Sequence, residues 1–86
     1  MKGDPYAKAL GTTLRTLRKL RGYKINAVVE KTGFSSVSIT AWENGKYFPT
    51  ICKLRALTTL YRVQLSTVIV NAEKVMLMHK KVSDED

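Results

Sequence analysis

The fold of this chain follows from the segment Gly33-Phe34-Ser35-Ser36-Val37-Ser38-Ile39-Thr40-Ala41-Trp42-Glu43-Asn44-Gly45. A glycine at each end and a serine in the N-cap position predict a turn followed by a short helix over residues 36–43. Ile39 and Trp42, three positions apart, place the bulky apolar groups on one side of that helix. The other side keeps only small side chains with hydroxyl or methyl groups. We therefore expect this slim helix to insert into a groove of another molecule.

Four more helices are predicted around this segment. Asp4 and Pro5 suit the start of a first helix, which ends before Gly22. The remaining helices are predicted over residues 25–32, after Thr50, and from residues 65–67 onward. No run alternates with a period of two, so the predicted fold class is all-α. In the first helix, a stripe at three- and four-residue spacing predicts the face toward the core: Tyr6, Leu10, Leu14, Leu17 and Leu20.

The chain is predicted to form one domain over residues 1–81, followed by an acidic tail over residues 82–86. It contains no internal repeat, no low-complexity segment and no linker. Asp84, Glu85 and Asp86 occupy the last three positions and give the tail its charge. Eighty-six residues are enough for a single core if most apolar residues share it.

The charge distribution points to a polyanionic partner. The formal net charge is +8, and residues 1–83 carry all 15 basic residues against only 4 acidic ones, which is a net charge of +11. Basic residues at this density repel one another unless a polyanion neutralises them. Double-stranded DNA is the expected partner, because its major groove admits an α-helix.

The composition argues against other classes of protein. Cys52 is the single cysteine and His79 the single histidine, so the chain cannot form an internal disulfide or a tetrahedral metal site from His and Cys alone. The acidic residues outside the tail are scattered and there is no glycine-rich phosphate loop, so we predict no enzyme, no cofactor and no small-molecule ligand. No apolar run suggests a secretory leader or a membrane span, and we expect a cytoplasmic protein.

Several independent positions resemble the helix-turn-helix proteins of the phage repressor and Cro type, the XRE family. The resemblance covers roughly residues 10–69, and the sequence Glu43-Asn44-Gly45-Lys46 followed by Pro49 matches the helix-ending signature of that family most closely. The other matching positions are Arg18, Val28, Gly33, Ile39, Trp42, Leu54, Leu57 and Val63. The resemblance implies a compact five-helix, lambda-repressor-like DNA-binding domain with its helix-turn-helix at helices two and three.

The same resemblance implies which residues contact DNA. Base edges would be read by Ser35, Ser36, Val37, Thr40 and Ala41. Phosphates would be contacted by Arg21, Lys24, Asn44, Lys46 and Tyr47. Methyl groups of the recognition helix can pack on thymine methyls, which favours steps that contain A·T pairs. For Ser35, capping the helix and contacting a base are equally open interpretations. The resemblance also implies an ion pair between Arg18 and Glu43.

The fifth helix is apolar around more of its surface than one face can bury. Val75, Met76, Leu77 and Met78 either pack back onto the core or form a dimer interface. A single small module makes few base contacts, so we expect a homodimer on a pseudo-palindromic operator.

The sequence predicts a sequence-specific DNA-binding regulator, expected to be a phage immunity or Cro-like repressor in the bacterial nucleoid or a phage-infected cell. One alternative is a protein-interaction module, such as an antitoxin or adaptor, that uses the apolar C-terminal helix. A third interpretation is a nucleoid protein that coats DNA regardless of sequence.

Overall fold

The computed structural model describes the backbone of residues 4–84 and the side chains of residues 4–78. Five helices follow one another along the chain: α1 (Pro5–Leu20), α2 (Ile25–Thr32), α3 (Ser36–Glu43), α4 (Ile51–Leu60) and α5 (Leu65–Asp84). The described residues contain no strand. The all-α prediction is confirmed, and α2 and α3 have the predicted limits.

Side-chain caps determine where three of these helices begin. Asp4 Oδ1 accepts the amide hydrogen of Tyr6 at 2.8 Å at the start of α1. Thr50 Oγ1 accepts the amide hydrogen of Lys53 at 3.3 Å at the start of α4, and Ser35 caps α3 in the same way. Lys24 provides no side-chain cap for α2. Gly33 has a φ of 79° in the turn between α2 and α3, a conformation in which a β-carbon would be strained.

The core lies between the helices: α1 contacts both α3 and α5, and α2 contacts α3 and α4. Its largest fully buried side chains are Leu14, Val28, Ile39, Leu57, Tyr61 and Val68. The predicted stripe of α1 is wrong at its two ends, because Tyr6 is 44% exposed and Leu20 is 75% exposed. Small residues of α1 are buried in their place, since two helices cross α1 and close approach requires short side chains: Ala7, Ala9, Gly11 and Thr13.

Gly11 allows α1 and the end of α3 to lie in direct backbone contact. A β-carbon at this position would overlap the carbonyl oxygens of Trp42 and Glu43. Any larger residue at position 11 must therefore push α3 away from α1.

An ion pair joins the same two helices. Arg18 donates from Nε to Glu43 Oε2 at 2.7 Å and from Nη2 to Glu43 Oε1 at 3.0 Å. Its Nη1 also donates to the carbonyl oxygen of Tyr23 at 2.9 Å. Both charged residues are buried, and the hydrogen bonds to Glu43 raise the pKa of Arg18 above its usual value. The geometry is bidentate, which is the strongest arrangement for such a pair.

Tyr61 lies close to this pair, at the end of α4. Its side chain is fully buried, and its ring centroid lies 6.4 Å from that of Tyr23. Burial raises the pKa of the Tyr61 hydroxyl to about 12, and the negative charge of Glu43 adds to this effect.

The backbone of α5 continues as a helix to Asp84. It therefore extends into residues 82–84, which had been predicted to belong to the tail. No glycine or proline occurs between Leu65 and Asp84, so nothing in the sequence stops the helix earlier. Residues 85 and 86 lie outside the described residues, and the division at residue 81 stays a prediction.

Removing the charge of Glu43 should destabilise the fold strongly. We expect Glu43→Gln to lower the free energy of unfolding by about 3 kcal/mol, because it leaves the buried Arg18 charge without a counter-charge. Urea unfolding would measure the change. The matched control is Glu30→Gln at an exposed glutamate, which should cost less than about 0.5 kcal/mol. Equal losses in the two variants would contradict the structural role of the pair.

Stability should fall at high pH because of Tyr61. A raised pKa means that the folded state holds the hydroxyl proton more tightly than the unfolded state. The resulting stability is fully present below the ordinary tyrosine value of 10.0 and is lost as the pH rises through about 12. A shift of this size corresponds to about 3 kcal/mol. Urea unfolding across this range should show the loss in the wild type and a smaller one in Tyr61→Phe; identical profiles would refute this assignment.

Candidate nucleic-acid interface

A shallow groove runs along the outer side of α3 and the loop after it. Its volume is about 360 Å³, and its lining consists of Ser36, Val37, Thr40, Ala41, Asn44, Lys46 and Tyr47. We call this surface the α3 groove. It brings together four of the five predicted base-contacting residues and three of the five predicted phosphate-contacting residues.

The two sides of α3 differ sharply in exposure. Ile39 is 1% exposed and Trp42 is 6% exposed, and Trp42 also meets the Phe34 ring edge-on with centroids 5.6 Å apart. Val37 on the other side is 78% exposed, which is more than any other large apolar side chain among the described residues. Because one side of α3 is packed on the core and the other is exposed, α3 presents its small side chains in a fixed orientation.

The hydroxyl of Ser35 caps the start of α3. Its Oγ accepts the amide hydrogen of Ser38 at 3.0 Å and donates to the Ser38 hydroxyl, also at 3.0 Å. In the structure, Ser35 therefore acts as the N-cap of α3. Ser36 lines the α3 groove.

The loop after α3 adds one cation and polar groups to the α3 groove. Lys46 and Tyr47 line it, and both are exposed. Lys24 is exposed at the start of α2, where the first amide groups have no side-chain cap. Such a helix start favours an anion. Lys24 does not line the α3 groove itself.

Arg21 has a partner elsewhere in the fold. Its Nε donates to the carbonyl oxygen of Tyr61 at 2.7 Å, which ties the end of α1 to the end of α4. The α3 groove does not include Arg21. Residue 61 lies forty positions further along the chain, and the sequence pattern of α1 contains no signal for this contact.

Arg15 contacts Asn44 of the α3 groove, which the sequence pattern did not predict. Its Nη2 donates to Asn44 Oδ1 at 2.6 Å, and its Nε lies 3.4 Å from Glu43 Oε1. One signal was present, because Arg15 precedes Arg18 by three positions and so shares a side of α1 with it. Lys53 lies with its Nζ 5.9 Å from the centre of the Trp42 ring.

The four residues predicted to form a dimer interface do not share one environment. Val75 and Met76 are partly buried and pack against the core. Leu77 is 55% exposed and Met78 is 68% exposed. Val75 and Met76 therefore pack back onto the core, whereas Leu77 and Met78 are exposed, and the dimer interface stays a prediction.

Two further features are absent from the described part of the chain. The residues placed there contain no group of three or more His, Cys, Asp or Glu side chains that could hold a metal ion. Within the same residues, no helix combines the length and the apolar character needed to cross a membrane.

Comparison with known proteins agrees with this geometry. Residues 9–68, well over half of the chain, match a family model described as a helix-turn-helix domain. The HTH-type transcriptional regulator SutR of Escherichia coli K12 is 35% identical over 63 residues. That alignment covers 73% of this chain but only 35% of SutR, so the chain spans about a third of its relative. No solved structure matches the chain. The finer assignment to the XRE type stays a prediction; the chain belongs to the helix-turn-helix domain family.

Proposed function

We propose that this protein is a sequence-specific, double-stranded DNA-binding transcriptional regulator that inserts α3 into the major groove. The proposed role is binding and not catalysis. Its main support is the contrast within α3, an eight-residue helix that is anchored by Ile39 and Trp42 and carries a 78% exposed Val37 on its opposite side. A soluble helix gains nothing from a bare valine in water, whereas the major groove offers thymine methyl groups to such a side chain.

Recognition would combine methyl contacts with phosphate contacts. Val37, Ala41 and the methyl group of Thr40 meet thymine methyls, and the hydroxyl of Ser36 bonds to a base edge. Short side chains let the helix backbone approach the floor of the groove. Asn44, Lys46 and Tyr47 bind the phosphates beside it, and Lys24 with the open helix start of α2 binds another. In this proposal Ser35 mainly caps, and Arg21 mainly braces α4.

The regulator would act as a homodimer on a pseudo-palindromic operator. Recognition helices of such dimers enter half-sites about 34–36 Å apart. Leu77 and Met78 on α5 are exposed apolar groups that a second copy would cover. Occupancy of a promoter would then repress transcription, as in a phage immunity or Cro-like repressor in a bacterial cytoplasm.

The same exposed residues support a second candidate function. Leu77 and Met78 would also suit the surface of a different protein, as in an antitoxin or adaptor in which DNA binding is secondary or lost. The two functions differ in which surface is essential, the α3 groove or the end of α5.

A titration on two DNA duplexes tests the proposal. The protein is added to DNA from upstream of its own gene and to random DNA, at several salt concentrations. We expect a preference of at least about a thousandfold for one upstream sequence, because specific regulators exceed their non-specific affinity by that factor or more. Equal affinities that fall together along one steep salt slope would contradict it and indicate a coating protein.

Two substitutions by glutamate locate the binding surface. Val37→Glu should weaken operator binding by about a hundredfold, because it loses methyl contacts and places a negative charge among phosphates. Ile51→Glu introduces a glutamate at a β-branched residue of α4 that is 63% exposed and lies outside both the α3 groove and α5, and it should bind normally. Both should melt within a few degrees of the wild type. Normal binding by Val37→Glu would exclude α3 as the reading helix.

A further inference from the structure

Arg15 connects the buried ion pair to the α3 groove. Glu43 Oε1 accepts from Arg18 at 3.0 Å and lies 3.4 Å from Arg15 Nε. The same Arg15 guanidinium donates from Nη2 to Asn44 Oδ1 at 2.6 Å. A continuous polar path therefore leads from the core contact between α1 and α3 to Asn44, which lines the groove.

The chemistry of arginine dictates how the Asn44 amide is turned. A guanidinium has five N–H donors and no acceptor. The atom of Asn44 that faces Arg15 must therefore be the amide oxygen, and the NH₂ group is left for a partner outside this contact. Asn44 is exposed and lies beside Lys46 in the α3 groove. A group that can only donate hydrogen bonds suits an acceptor such as a phosphate oxygen.

Without Arg15, the side-chain amide of Asn44 loses the hydrogen bond that holds it in this orientation. An exposed asparagine can rotate by half a turn and present its oxygen in place of its nitrogen. An oxygen in that place would face phosphate oxygens, which are also acceptors, and the hydrogen bond would be lost. Pre-orienting the amide removes the ordering cost from the binding step.

We propose that Arg15 is a positioning residue that acts through Asn44, fixing its amide so that the NH₂ group meets a DNA phosphate. The inference rests on the proposed function for its ligand. The orientation of Asn44 in the free protein does not depend on it.

Stability is not the main role of Arg15. Its side chain is 44% exposed, and its contact with Glu43 is long. Glu43 already has a bidentate partner in Arg18. Exposed ion pairs contribute little to folding, so a variant at position 15 should remain folded.

A double-mutant cycle on operator binding tests the proposal. Arg15→Met and Asn44→Ala should each weaken binding by about tenfold, and the double variant by about tenfold as well, because both remove the same phosphate contact. Arg55→Met, at an exposed arginine of α4 that lies outside the α3 groove, controls for the lost charge and should bind within about twofold of the wild type. A hundredfold loss in the double variant would overturn the proposal. So would a fall of about one in the salt slope of Arg15→Met, since Arg15 would then neutralise a phosphate itself.

A spectrum of the free protein tests the orientation separately. The side-chain amide of Asn44 should give two resonances of an ordered group in a ¹H–¹⁵N spectrum. Arg15→Met should move both toward the values of an unstructured asparagine, while Arg55→Met should not. Unmoved resonances in Arg15→Met would overturn the positioning role. Absence of any operator preference in the wild type would overturn the proposed function and the phosphate as ligand, whereas additive losses with intact wild-type binding overturn this inference alone.

Discussion

The bidentate contact between Arg18 and Glu43 is what the orientation of α3 depends on. An isolated helix of eight residues is unstable in water, because helix nucleation is costly and the helix is too short to recover that cost. The conformation and direction of α3 must therefore come from what it packs against. Ile39 and Trp42 hold one side, and the ion pair at the last residue of α3 fixes its end to α1. Gly11 completes the junction by letting the two backbones touch.

This anchoring allows the proposed recognition surface to consist of small side chains. Val37, Thr40 and Ala41 have little length with which to search for a base, so the helix itself has to be in the right place. A long, flexible arginine can reach a base from a loosely held helix, whereas a short valine requires a helix that is held rigidly. The polar path through Arg15 carries the same anchoring to Asn44, whose amide lies where the end of α3 meets the loop. The proposed base contacts and the proposed phosphate contacts thus share one support.

Local signals predicted the helices well, and tertiary contacts account for what they missed. Ser35, Gly33 and Gly45 mark the start and end of α3 in the sequence, and the structure keeps those limits. The apolar stripe of α1 failed at Tyr6 and Leu20, because periodicity identifies a face but cannot tell that two helices cross it.

The polar contacts also depend on tertiary structure more than on local sequence signals. The ion pair of Arg18 was expected only by resemblance to a family, whereas the contact from Arg15 to Asn44 and that from Arg21 to the Tyr61 carbonyl join positions far apart in the chain. Short-range patterns contain no information about such pairs. The backbone of α5 runs past residue 81 to Asp84, because no residue there interrupts a helix, and the start of the acidic tail stays a prediction.

The most direct test of the account follows the backbone amides of the protein as operator DNA is added. Assigned ¹H–¹⁵N spectra should show the largest shifts in residues 35–47 and at the start of α2, with the core of α4 and the first turns of α5 unchanged. Shifts concentrated in α5, with residues 36–41 unaffected, would contradict the claim that the anchored helix α3 presents its bare side to DNA.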